Sequence, residues 1–166
     1  MTDFKLDDYI LNTKKALYSA ESSGQIKNIL KIFKDTIIYH IDECASENYE
    51  QCNKIFVSLA IELLDDIGFM QKQGSQNIFH VILFYRVIDN ESKQNLLNIL
   101  TKNYHLYTTY AVCDAICKYI YYEICDFNSE LAKPIYEVLF ANRSNGENIN
   151  NLLDNLYFNL GINIDR

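Results

Sequence analysis

The stretch QIKNILKIFKDTIIYHIDEC, residues 25–44, decides the fold class. Its apolar residues Ile26, Ile29, Leu30, Phe33, Ile37, Ile41 and Cys44 recur at steps of three and four. That spacing lines one face of an α-helix over several turns and fits no strand, whose faces alternate every second residue. Lys27, Lys31 and Lys34 share a different face.

The same period extends in both directions. Residues 3–22 place Leu6, Tyr9, Ile10, Thr13, Leu17 and Ala20 on one stripe, and Gly24 follows where a helix commonly stops. Residues 49–67 form a third helix, with Asn48 and Gln51 spaced as a capping box, a stripe of Cys52, Ile55, Phe56, Leu59, Leu63 and Ile67, and Gly68 as its end. Residues 76–88 are almost continuously apolar; their length favours a buried helix over a strand. Asp89 and Asn90 are positioned to cap a fifth helix, 91–103, burying Leu96, Leu97 and Leu100. A sixth begins at Thr108 or Thr109 and runs to Cys125. A seventh covers 129–142, kinked by Pro134 or starting there, and a last one, 144–161, opens on the box Ser144–Glu147 and closes on Gly161.

The expectation is an all-α chain of about eight helices, either an irregular multi-helix bundle or a short helical-repeat stack. Five Gly and one Pro are too few for the turns of an all-β domain. No Gly/Ser/Pro-rich linker interrupts residues 1–166, so one domain is expected.

No apolar run approaches the roughly 20 residues that span a bilayer. The opening MTDFKLDDYI has acids where a secretion signal carries Lys or Arg, which points to a cytoplasmic protein that does not engage a membrane. Cys44, Cys52, Cys113, Cys117 and Cys125 are odd in number and form no C-x-x-C pair; reduced thiols packed as small apolar side chains are expected. His40, His80 and His105 have no partners at zinc spacing, so no metal or cofactor is expected. Phosphate-cradling glycine loops and the G-x-S-x-G and H-E-x-x-H motifs are absent, and Asp7–Asp8 and Asp65–Asp66 are sequence neighbours whose side chains diverge on a helix. These features favour a binding protein over an enzyme.

The charge pattern is more informative. Residues 1–34 hold six Lys and four acids, whereas residues 42–66 hold seven acids and only Lys54, within a net charge of −7. Glu47, Glu50, Glu62 and Asp65 fall on one side of the third helix, opposite the Cys52–Leu59–Leu63 stripe. Asp42 and Glu43 precede that helix and Asp66 ends it. A solvated face is the simplest account, but such faces usually mix Lys with Glu, and Asp65 and Asp66 oppose the dipole at a helix C-terminus. An acidic surface repels nucleic acid and attracts basic proteins. The segment 104–122 adds six Tyr, of which Tyr121 is placed to reach the surface as an interface anchor.

In size, acidity and helical makeup, and chiefly in the run 42–66, the chain resembles the small acidic immunity proteins encoded beside contact-dependent and polymorphic bacterial toxins. The resemblance implies a tight complex with a basic toxin domain, often a nuclease, whose substrate cleft the acidic helix occupies or flanks. The composition is also similar to that of poxvirus Bcl-2-like helical regulators, which implies a groove receiving a partner helix. The N-W-G-R-like groove motif is missing here.

Overall fold

The computed structural model describes residues 5–41, 46–84, 88–103, 106–107 and 109–119, and of residues 46–49, 101, 110, 113 and 117 the backbone alone. Six α-helices and one π-helical segment follow in order: α1 (Leu6–Ser19), α2 (Ser23–Ile41), α3 (Ser46–Asp65), α4 (Ile67–Met70), the π segment (Ile78–Leu83), α5 (Asn90–Asn103) and α6 (Tyr110–Tyr119). No strand occurs among the described residues, and the chain is all-α. The helices expected over 129–142 and 144–161 lie outside the described residues.

The apolar stripes face inward as their spacing dictates. Ile26, Leu30, Phe33 and Ile37 of α2 are buried, as are Cys52, Phe56, Leu59 and Leu63 of α3 and Leu96, Leu97 and Leu100 of α5. Together with Leu17, the π segment and α6 they form one continuous core. Each such side chain contributes about 1.5–3 kcal/mol by leaving water. An aromatic series ties the first three helices: Tyr9 stacks on Phe33 at 5.7 Å between centroids, and Phe33 meets Phe56 edge-on at 6.1 Å. Helix α3 is central; it packs on α2, α4, α5 and the π segment.

Several helix boundaries differ from expectation for local reasons. Gly24 lies inside the first turn of α2 rather than after α1. Ser22 Oγ accepts the Gln25 N–H at 3.2 Å, and Gln25 Oε1 accepts the Glu21 N–H at 2.6 Å. Ser22 thus caps the helix, with the Gln25 side chain taking the N–H one residue before it, and the helix starts ahead of the glycine. Helix α3 starts at Ser46, so Asn48 belongs to its first turn instead of capping it. It stops at Asp65, and Gly68 sits within the short α4.

The apolar stretch after it is helical but not a long α-helix. A turn occupies 71–76, and six residues then wind as a π-helix that ends with Phe84 N–H donating to Phe79 O at 2.8 Å. Ile78, Phe79, Ile82 and Leu83 are all buried against α2, α3 and α6. The turn needs Gly74: its φ is 102°, and a Cβ there would lie 2.5 Å from Ser23 Cα. Lys72 Nζ donates to Tyr18 O at 2.6 Å and Ala20 O at 2.9 Å, so a basic side chain caps the open carbonyls ending α1.

Candidate functional site

Helix α2 packs on both α1 and α3, and side chains of α1 and α3 together line two clefts. The first is a cleft of about 440 Å³, lined by Asp7, Ile10, Leu11 and Lys14 of α1 and by Lys54, Ile55 and Glu62 of α3 among others. A second cleft, about 570 Å³, continues along the same two helices past Lys14, Tyr18, Glu62, Asp65 and Asp66. Residue numbers rise together on both walls, so the helices run in the same direction and the second cleft follows the first along one line. Lys14 and Glu62 border both clefts and form an ion pair across that line.

The residues expected to bind a partner divide into three groups. Glu50, Glu62 and Asp65 are exposed on α3, as the spacing requires. They span about 22 Å of helix. Asp66 is only half-exposed. The backbone of Glu47 belongs to α3. Its side chain, with Asp42, Glu43 and Tyr121, lies outside the described residues.

Two sequence arguments about the acids are corrected by tertiary structure. Lys54 is not the only cation available: Lys14 arrives from α1 to pair with Glu62, and Lys102 arrives from α5 to meet Asp65 at 3.1 Å. Asp65 also accepts from Asn103 Nδ2 at 3.0 Å. The Asn103 bond, then Lys102, holds its carboxyl below the ordinary value of 3.8. Asp66 does not oppose a helix dipole. It sits between α3 and α4 with extended backbone, and its Oδ1 accepts the Phe69 N–H at 3.0 Å. It is the N-cap of α4, where an acid is favourable. Its other oxygen accepts the Tyr18 hydroxyl, and this bond raises Tyr18 to about 12.

The pairs are nevertheless on the surface. The side chains of Glu62, Asp65 and Lys102 are 54%, 46% and 65% exposed, whereas that of Lys14 is 25% exposed. Exposed pairs of this kind are worth roughly 0–1 kcal/mol, because water competes for both charges. Their oxygens therefore stay open to exchange with another cation. Among the described residues no three His, Cys, Asp or Glu side chains converge as a metal site would need. Cys52 is buried in the core. No helix among them is long and apolar enough to cross a membrane.

Sequence reasoning missed the α1 side of this face. Lys14, Tyr18, Ile10 and Leu11 meet α3 only through tertiary packing. The one local sign was Leu11, an apolar residue off the buried stripe of α1, which stays 51% exposed. No protein-family model matches the chain, and no characterised protein and no solved structure matches it either.

Proposed function

We propose that this chain is a toxin-binding immunity protein, which acts by holding a basic partner against the outer side of α3. The observation that carries this reading is the set of exposed acids Glu50, Glu62 and Asp65 on α3, of which Glu62 pairs with Lys14 and Asp65 with Lys102. A partner presenting Arg or Lys at matching positions replaces those lysines at little cost, since an exposed pair is weak and two charge-assisted bonds on a docked face are stronger. The net charge of −7 steers a basic molecule toward the face before contact. A nuclease fits this chemistry well, because its cleft is built to receive a row of phosphates spaced along a rod. No step of this action makes or breaks a covalent bond.

Asp66 belongs to the scaffold on this account. Its two oxygens are committed to the α4 cap and to Tyr18, so it aligns the end of the acidic row rather than meeting the partner.

Co-expression with a basic toxin domain encoded beside the chain's gene tests the proposal. The expected results are survival of the host cell and a one-to-one complex on gel filtration. The triple variant Glu50→Lys, Glu62→Lys, Asp65→Lys should fold and fail to protect. Absence of any such toxin gene, or protection by the triple variant equal to that of the native chain, contradicts the proposal.

A further inference from the structure

We draw no further inference here: the strongest candidate, the surface patch on the outer side of α2 where Lys27, Lys31, Ile32 and Tyr39 lie exposed, carries nothing, because Asp35 is exposed among them and nothing in the structure shows what covers it.

Discussion

At Asp66 three contacts meet: the cap on α4, the Tyr18 hydroxyl and the end of α3. Replacing Asp66 by Ala should cost about 0.5–2 kcal/mol for the lost cap alone, read from urea unfolding. The same change should bring the Tyr18 phenol down from about 12 toward its ordinary value of 10.0, read by ultraviolet titration. Asp66→Asn should restore most of the stability, since Asn also caps, while leaving Tyr18 lowered. An unchanged Tyr18 titration would mean that the hydroxyl bond does not form. Leu59 and Leu63 are buried to 2% and 1% exposure on the inner side of the same helix. Leu63→Ala should cost about 2–5 kcal/mol, and a loss below about 0.5 would place α3 the other way round. Their burial was legible from spacing alone, because the nearest apolar neighbours sit one helical turn away. The Lys14–Glu62 and Lys102–Asp65 pairs were not legible, because each partner comes from a helix far off in the chain and nothing local to α3 announces it.

Among elements, the π segment carries the clearest consequence of crowding. Its sequence, IFHVIL, is apolar on both sides of His80, so no polar face tells a reader which residues meet solvent. The sequence therefore predicted helical burial but not the wider winding, and the segment packs against α2, α3 and α6 at once. Ser22 and Gln25 show the opposite case: a starting signal was present, and Gly24 masked it by reading as a stop. His80 stacks on Phe84 at 5.4 Å at the edge of this segment. Loss of water lowers its pKa below 6.5, and Lys118 of α6 and Lys27 of α2 push the same way, while Asp114 pushes back. A lowered histidine favours the folded state when neutral. Its contribution is complete above 6.5 and is lost as pH falls through the lower folded value. The urea midpoint should therefore fall between about pH 7 and pH 5, and His80→Gln should flatten that slope. Equal slopes in both proteins would mean that His80 titrates alike in the folded and unfolded chain.

On the scale of the whole molecule, the helical class was legible because the 3–4 period recurs in segment after segment. The order of packing was not, since amphipathic stripes say which face is buried but not against what. That gap hid the face now proposed as functional: α3 supplies acids that the spacing revealed, and α1 supplies the wall and the counter-ion that it did not. The central claim is that charge on this face governs encounter with a basic partner. The most direct measurement is the association rate constant with the toxin domain at low and high salt, for the native chain and for the Glu50→Lys, Glu62→Lys, Asp65→Lys variant. The native rate should fall by about tenfold or more between 0.01 and 0.5 M salt, because screening shortens the reach of the acids from about 30 Å to a few ångströms. The variant should associate slowly at both salts, with its dissociation rate changed far less. Association that ignores salt and is equally fast for the reversed variant would contradict the account.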